Sequence, residues 1–205
     1  MKITGLHVRY LKIPRTSTLI TSYGSEQSAP TLLIQLDTDE GLIGYGQVSV
    51  DAPFYGETAE GMTANITKHI APALMGEDPL NITHLNQKMR KALPHHWCSY
   101  SGVDMALWDL KGKALGVPIY QLLGGKVRDG VDLMGFVHLD EPEKMAAAAT
   151  KTLDEHGFSV LKMKIGLEPE DDLKRYRAVA KAVEGRAVLQ VDGNTGYTIS
   201  QALPT

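Results

Sequence analysis

The sequence of residues 160–194, VLKMKIGLEPEDDLKRYRAVAKAVEGRAVLQVDGN, contains two short apolar runs on either side of a helical pattern. Val160–Ile165 and Val188–Val191 predict β-strands. Pro169–Val183 predicts the helix between them, because acidic residues in its first turn suit the helix dipole. A connection of this length joins parallel strands rather than a hairpin. The stretch therefore predicts one β-α-β unit.

The same alternation extends to both sides of this unit. Val131–Val137 predicts a strand, and Pro142–Glu155 predicts an alanine-rich helix that ends at Gly157. Thr198 is a suitable N-cap for a further helix. The order β-α-β-α-β predicts the start of a parallel barrel. A complete (β/α)₈ barrel takes about 250 residues, so the barrel portion at residues 126–205 has room for only about three of its units.

The N-terminal part of the chain predicts strands followed by helices. The predicted strands are Ile3–Ile13, Thr31–Leu36 and Leu42–Tyr45, and the last two form a hairpin. The predicted helices span Met62–Leu74, Asn81–Leu93 and Ser101–Leu115. The polar residues Thr16–Pro30 predict a flexible loop. Gly124 and Gly125 precede a polar linker, so we expect an α+β domain over residues 1–125 and the first part of a TIM-type barrel over residues 126–205.

Composition excludes several classes of function. The chain has 21 basic and 24 acidic residues, a net charge of −3, which argues against nucleic-acid or anionic-membrane partners. The one cysteine, Cys98, excludes an internal disulfide and fits a cytoplasmic protein. No apolar run approaches the roughly 18 residues of a membrane helix. The sequence His95-His96-Trp97-Cys98 resembles a metal cluster, but adjacent histidines point in different directions, so we predict a loop that leads into a helix.

Two short polar motifs follow successive predicted strands. Lys162-Met163-Lys164 ends one strand, and Asp192-Gly193-Asn194 ends the next. Side chains two residues apart on a strand share a face, and functional groups of parallel barrels gather at the carboxyl ends of the strands. Taken singly, each motif also suits a solvated strand end or a turn. Their equivalent positions on neighbouring strands favour one shared site.

A pair of lysines and a carboxylate suits one kind of chemistry. Removal of a proton from the carbon beside a carboxylate produces an enediolate with negative charge on adjacent oxygens. A divalent cation and ammonium groups stabilise that charge, and a lysine near other cations can serve as the base. Asp192 is a hard oxygen ligand of the kind that Mg²⁺ prefers.

These motifs, together with SGVDMALWDL at residues 101–110 and PIYQLLGG at residues 118–125, resemble the mandelate racemase and muconate lactonizing enzyme branch of the enolase superfamily. The resemblance implies an α+β capping domain followed by a modified barrel. It implies an isomerase, of racemase, epimerase or cycloisomerase type, that abstracts a proton α to a carboxylate with the help of a metal. Lys164 matches the acid/base, Lys162 the contact to the substrate carboxylate, and Asp192 the first of three metal-binding carboxylates.

The resemblance also implies partners of this site. It implies Mg²⁺ or Mn²⁺ as cofactor, although the full ligand set and the second base would come from later strands that the 205 residues do not include. Asn194 matches a polar neighbour of the metal site and is a candidate contact to a small carboxylate substrate. The resemblance also implies two N-terminal loops that cap the site, in which Tyr23 and Tyr55 are further candidate contacts to the substrate. The two tyrosines lie in loops, where aromatic residues of the protein surface are equally expected. A homo-oligomer, or a complementary chain that completes the barrel, is expected.

Two alternatives remain open on the sequence. One is a sugar-acid or hydroxy-acid dehydratase of the same superfamily, although a Lys-x-Lys motif favours racemases, epimerases and cycloisomerases. The other is a catalytically incomplete fragment with a structural or subunit-contact role.

Overall fold

The computed structural model describes residues 1–22 and 24–203. Their contacts divide the chain into two units, the first formed by residues 1–14 and 28–127 and the second by residues 15–27 and 128–205. The division of the sequence into domains at residues 125 and 126 stays a prediction. None of the described helices is long and apolar enough to cross a bilayer.

An antiparallel sheet begins the chain. Its strands are β1 (Ile3–Thr21), β2 (Gly24–Thr38) and β3 (Ile43–Ser49), in the order β1-β2-β3. The predicted hairpin is confirmed, since β2 pairs with β3 from Thr31 opposite Ser49 to Asp37 opposite Ile43.

The predicted flexible loop at residues 16–30 was wrong, because β1 and β2 extend through most of it. Most side chains of this extension are exposed or half-buried, so it lacks the apolar alternation that marks a strand in a sequence. Its threonines are nevertheless β-branched and suit strands. Pro14 is tolerated within β1 because that strand lies at the edge of the sheet.

Helices complete the first unit. They are α1 (Ala52–Tyr55), α2 (Ala59–Asn65), a π-helical turn (Ile66–Ile70), α3 (Ala71–Leu74), α4 (Ile82–Ala92), α5 (Trp97–Leu115) and α6 (Ile119–Leu122). The π-helical turn lies just before Pro72, which has no N–H to donate to a regular helical bond. The helix predicted from Ser101 begins four residues earlier, and Gly116 ends it in the left-handed conformation.

Glycines allow α5 to lie directly on β3. A Cβ added to Gly46 would overlap the carbonyl oxygen of Gly102, and one added to Gly44 would overlap that of Ala106. Around this contact the buried side chains of the sheet and helices form one core, which includes Leu32, Ile34, Leu36, Met62, Ile66, Leu85, Met89, Val103 and Leu107. Backbone-to-backbone contact therefore fixes the position of α5, the longest helix of this unit, on β3.

The second unit contains the predicted parallel sheet. Its elements are β4 (Gly135–Val137), α7 (Pro142–His156), β5 (Val160–Lys164), α8 (Pro169–Ala182), β6 (Val188–Asp192) and α9 (Ile199–Ala202), with strand order β4-β5-β6. Both strand pairs are parallel, which confirms the β-α-β-α-β prediction. The first strand is shorter than predicted, since residues 131–134 are exposed and lie outside it.

One face of this sheet is covered and the other displays the lysines. Leu161 and Met163 are fully buried in a core with side chains of α7 and α8. Alternation along a strand then directs Lys162 and Lys164 to the opposite face. The register places Phe136 and Gln190 beside Lys162 in neighbouring strands, and Asp192 beside Lys164.

Candidate active site

The structure brings Lys162, Lys164, Asp192 and Asn194 together at the carboxyl ends of β5 and β6. The ammonium groups of both lysines contact the same oxygen, Oδ2 of Asp192, at 2.9 Å for Lys162 and 2.8 Å for Lys164. Lys164 Nζ also donates to Oδ1 of Asn194 at 2.7 Å. The shared face that the sequence predicted for each pair is therefore present.

The two lysines differ in their exposure to solvent. The side chain of Lys164 is 8% exposed, and that of Lys162 is 29% exposed. Both ammonium groups lie 5.8 Å from the centre of the Phe136 ring, within the range of a cation–π contact. Lys162 is therefore the more accessible of the two to a molecule that enters from solvent.

Asp192 is held as a carboxylate by its donors. Burial alone would raise its pKa, but hydrogen bonds from Lys164, Lys162 and the backbone N–H of Asn194 outweigh burial and hold the pKa of Asp192 well below its usual range. The backbone bond joins Asn194 N to Asp192 Oδ1 at 2.9 Å. The site thus contains one fixed negative charge between two ammonium groups.

The turn after β6 has an unusual backbone. Asn194 has φ 45° and Thr195 has φ 60°, both in the left-handed region that costs most residues free energy. Asn194 tolerates it better than most because its short polar side chain bonds locally. The carbonyl oxygen of Asn194 accepts a hydrogen bond from Ser22 Oγ at 3.2 Å. This conformation presents the Asn194 amide oxygen to Lys164.

Sequence reasoning missed His138, which follows β4. Its Nδ1 is buried and has no hydrogen-bond partner among the described residues. Burial lowers the pKa of His138, and the positive charges of Lys164 and Arg15 lower it further. The spacing of Phe136 and His138 at the end of a strand repeats that of Lys162 and Lys164, and this repetition was the available signal.

The structure tests neither of the two predicted tyrosine contacts to the substrate. Tyr55 ends the short helix α1 in the first unit and is 56% exposed, with its ring edge-to-face against Phe54 at 5.0 Å. Tyr23 lies outside the described residues. Both assignments stay predictions.

The segment His95–Cys98 leads into a helix, as predicted, but its last two residues, Trp97 and Cys98, already belong to α5 rather than to a loop. Glu57 accepts hydrogen bonds from Cys98 N at 2.9 Å and from Ser99 Oγ at 2.6 Å, in the first turn of α5. The ring of His96 lies 3.5 Å from the same carboxylate. The bond from Cys98 N satisfies a backbone donor at the start of the helix that would otherwise lack a partner.

The described residues fit one part of a divalent-metal site. Asp192 is an ionised carboxylate, and hard cations prefer such oxygens. Among residues 1–22 and 24–203, no three acidic, histidine or cysteine side chains are grouped as a cation would need. The ammonium groups of Lys162 and Lys164 occupy one oxygen of Asp192, so a cation would have to displace them or use another lone pair.

An α+β unit followed by parallel β/α units, with charged side chains at the carboxyl ends of the strands, has the architecture of a barrel enzyme with an N-terminal domain. Comparison with known proteins identifies the group. The family model "Mandelate racemase / muconate lactonizing enzyme, N-terminal domain" matches residues 5–124, and "Enolase C-terminal domain-like" matches residues 144–205. The chain belongs to the mandelate racemase and muconate lactonizing enzyme family of the enolase superfamily.

Individual relatives include several reaction types. An N-succinyl-L-Arg/Lys racemase of Bacillus cereus is 32% identical, over 96% of this chain and 53% of its own. Its crystal structure has a TM-score of 0.95, with 100% of this chain and 55% of that chain covered. A cis-3-hydroxy-L-proline dehydratase of Roseibium aggregatum is 34% identical, over 98% of this chain and 55% of its own.

A dipeptide epimerase of Enterococcus faecalis, solved in complex with Mg and the dipeptide L-Leu-L-Tyr, is similar in structure as well. It has a TM-score of 0.91 at 32% identity, with 100% of this chain and 57% of that chain covered. The chain thus spans about half the length of the relatives it matches. Its fold corresponds to the N-terminal domain of the family and the first three β/α units of the barrel.

Proposed function

We propose that this chain provides one side of an active site that abstracts a proton from the carbon beside a carboxylate. The observation that supports it most is the convergence of Lys162 and Lys164 on one oxygen of Asp192, at the carboxyl edge of a parallel sheet. Relatives named as racemases, epimerases and cycloisomerases support this reaction type. The products of such a reaction differ in configuration or connectivity at the α-carbon.

The two lysines are assigned different roles by their surroundings. Lys162 is the more exposed and is proposed to pair with the substrate carboxylate, where negative charge increases as the proton leaves. Lys164 is almost fully buried, and Asn194 Oδ1 orients its ammonium group, so it is proposed to exchange the proton with the α-carbon. This division assigns charge stabilisation and proton transfer to separate side chains.

Asp192 is proposed as one ligand of Mg²⁺, with Mn²⁺ as the alternative. When bound, such a cation would supply positive charge to stabilise the substrate oxygens. The E. faecalis relative was crystallised with Mg, which supports this cofactor. Further carboxylate ligands and the second base are proposed to come from outside residues 1–22 and 24–203, since these residues contain no group of three acidic, histidine or cysteine side chains that could hold a metal ion.

The substrate is proposed to be a small carboxylate that carries a hydrogen on its α-carbon. Relatives act on N-succinyl amino acids and dipeptides, according to their names, and both classes have this feature. Tyr23, Tyr55 and Asn194 remain proposed contacts to it. Assembly as a homo-oligomer or with a complementary chain stays part of the proposal.

A dehydratase is the second candidate, and the 34% identity to the cis-3-hydroxy-L-proline dehydratase supports it. A dehydratase also begins by removing an α-proton, so Lys164 would keep its role. The difference is a leaving group on the neighbouring carbon. A third candidate is a fragment that is catalytically incomplete and serves in subunit contacts.

Hydrogen exchange in deuterated water tests the proposal. The 205-residue chain with Mg²⁺ is incubated with N-succinyl-L-arginine, L-Ala-L-Glu, muconolactone and cis-3-hydroxy-L-proline, and deuterium at the α-carbon is followed by mass spectrometry. Exchange with inversion supports an isomerase, and loss of water supports the dehydratase. A folded chain that exchanges no substrate would contradict catalysis by this chain and favour the third candidate.

Two single-lysine variants, one at the site and one control, test the assignment of Lys164 as the base. We expect Lys164→Ala to reduce exchange by about 10²–10⁴-fold, the usual contribution of a general acid or base. Lys181→Ala is the control, because Lys181 is an exposed lysine of α8. Exchange that survives in Lys164→Ala would exclude Lys164 as the base.

A further inference from the structure

Asp172 is a nearly fully buried carboxylate at the start of α8, with a residue exposure of 3%. Its Oδ2 accepts hydrogen bonds from the backbone N–H of Gly166 at 2.8 Å and of Leu167 at 3.0 Å, and from the hydroxyl of Tyr197 at 2.6 Å. Its Oδ1 accepts from Arg175 Nη1 at 2.8 Å. Burial alone would raise the pKa of Asp172, but these four donors outweigh burial and hold the pKa below its ordinary value.

The donors of Asp172 belong to the two loops that follow the site strands. Gly166 and Leu167 lie directly after the end of β5, within three residues of Lys164. Tyr197 lies three residues after Asn194, in the connection between β6 and α9. One carboxylate that contacts none of the four site residues therefore ties both loops together.

The two loops also pack backbone against backbone. A Cβ added to Gly166 would overlap the carbonyl oxygen of Gly193, and one added to Gly196 would overlap that of Gly166. Gly166 has φ +112°, a conformation that glycine alone adopts without strain. The loops leave no room between them, so a shift of one loop moves the other.

The turn that contains Asn194 depends on such support. Its consecutive left-handed residues, Asn194 and Thr195, persist only where the surroundings fix them. On one side the turn is closed by the hydrogen bond from Gly196 N to the carbonyl oxygen of Gly193, at 2.8 Å. Tyr197, the residue that follows Gly196 at the end of the turn, is fixed by its hydrogen bond to Asp172.

We propose that Asp172 and Tyr197 are positioning residues, which hold the side-chain amide of Asn194 in place to orient the Lys164 ammonium group. Neither residue touches the reacting atoms. Their effect on catalysis rests on the proposed function of Lys164, but their effect on the Asn194 turn does not. A displacement of about 1 Å in a catalytic group is enough to slow a reaction about 10²-fold, so support at this distance matters.

The variant Tyr197→Phe tests this proposal because it removes one donor and keeps the ring. Amide hydrogen exchange is measured by NMR on the full 205-residue chain. We expect the backbone N–H of Asn194, which bonds to Asp192 Oδ1 and reports on the turn, to exchange about tenfold faster, as loss of one hydrogen bond to a charged group predicts. Amides of β4 should keep their rates. Tyr176→Phe is the matched control, since Tyr176 is on α8 and its hydroxyl has no partner within the described part of the chain.

The outcomes separate positioning from a general contribution to stability. Unchanged exchange at Asn194 in Tyr197→Phe would overturn the proposal. A uniform increase over all amides of the second unit would also overturn it, because that result indicates only a less stable fold. Asp172→Asn should give the same local pattern with a larger change, and Tyr197→Phe decides the question if that variant does not fold.

Substrate exchange then tests the link to function separately. If the wild-type chain exchanges the α-hydrogen of a substrate, Tyr197→Phe should lower the rate constant at saturation about tenfold, with less change in KM, and Tyr176→Phe should not. If the wild-type chain exchanges no substrate, catalysis by this chain alone fails. The amide exchange of Asn194 still decides whether Asp172 and Tyr197 position the turn.

Discussion

Asp192→Asn is expected to destabilise the second unit more than Lys164→Met. Asp192 accepts from three donors, namely Lys162 Nζ at 2.9 Å, Lys164 Nζ at 2.8 Å and Asn194 N at 2.9 Å. An asparagine keeps the shape of the side chain but removes the charge that offsets two ammonium groups. A methionine at position 164 instead leaves Asp192 with Lys162 and the backbone donor.

The expected losses follow from burial. Removal of one partner from a buried ion pair costs about 3–5 kcal/mol. Asp192 is 23% exposed and Lys162 is 29% exposed, so solvent relieves part of this cost, and we expect Asp192→Asn to lose about 2–3 kcal/mol of unfolding free energy. Lys164→Met places an apolar chain where the lysine is 8% exposed, so we expect a loss of only about 1 kcal/mol.

Urea unfolding in the presence of a chelator measures these changes. The transition is followed by far-UV circular dichroism and by hydrogen exchange of peptides from β5 and β6, because both tryptophans, Trp97 and Trp108, lie in the first unit. Asp171→Asn is the control, since Asp171 and its partner Lys174 are exposed, and we expect the lost ion pair and helix-dipole interaction to cost less than about 1 kcal/mol. A loss for Lys164→Met equal to or greater than that for Asp192→Asn would contradict the assignment of Asp192 as the centre of the cluster.

Three further changes test contacts within each of the two units. Gly46→Ala should cost about 3 kcal/mol or more, because the added methyl overlaps the carbonyl oxygen of Gly102; urea titration followed by tryptophan fluorescence measures it, and a loss below about 1 kcal/mol would contradict the close contact. Met163→Ala, at a fully buried position, should cost about 2–5 kcal/mol by circular dichroism, and a neutral result would show that the core collapses around it. Burial raises the pKa of Glu57, but Ser99, the N–H of Cys98 and the charge of His96 lower it more. The wild-type advantage over Glu57→Gln should therefore be complete above the ordinary pKa of 4.5 and shrink as the pH falls below it, and a pH-independent difference would contradict this.

Much of the second unit could be predicted because its elements have strong local signals. The apolar run of β5 and the acidic first turn of α8 are each decided by neighbouring residues. The same holds for the shared face of Lys162 and Lys164, which follows from the two-residue period of a strand. Residues 16–30 lack such a signal, since most described side chains of β1 and β2 there are exposed or half-buried without a regular alternation, and only pairing between the strands shows their conformation.

The supporting residues of the site could not be predicted, because their role depends on contacts distant in sequence. Asp172 follows two other acidic residues at the start of α8, and the helix dipole explains all three equally well. Its bond to Tyr197 spans 25 residues and exists only because the two loops meet. His138 is similar, since its unpartnered Nδ1 is a consequence of burial that the sequence does not show.

The ion cluster has a consequence for the binding of a substrate. Two ammonium groups and one carboxylate sum to a single positive charge, which favours the approach of an anion to this edge of the sheet. A substrate carboxylate that pairs with Lys162 has to share its ammonium group with Asp192, which already accepts from it at 2.9 Å. Any group that binds Asp192 Oδ2 in place of the lysines would release both ammonium groups together, since both contact that one atom. Occupation of Asp192 and the binding of an anion are therefore coupled in this arrangement.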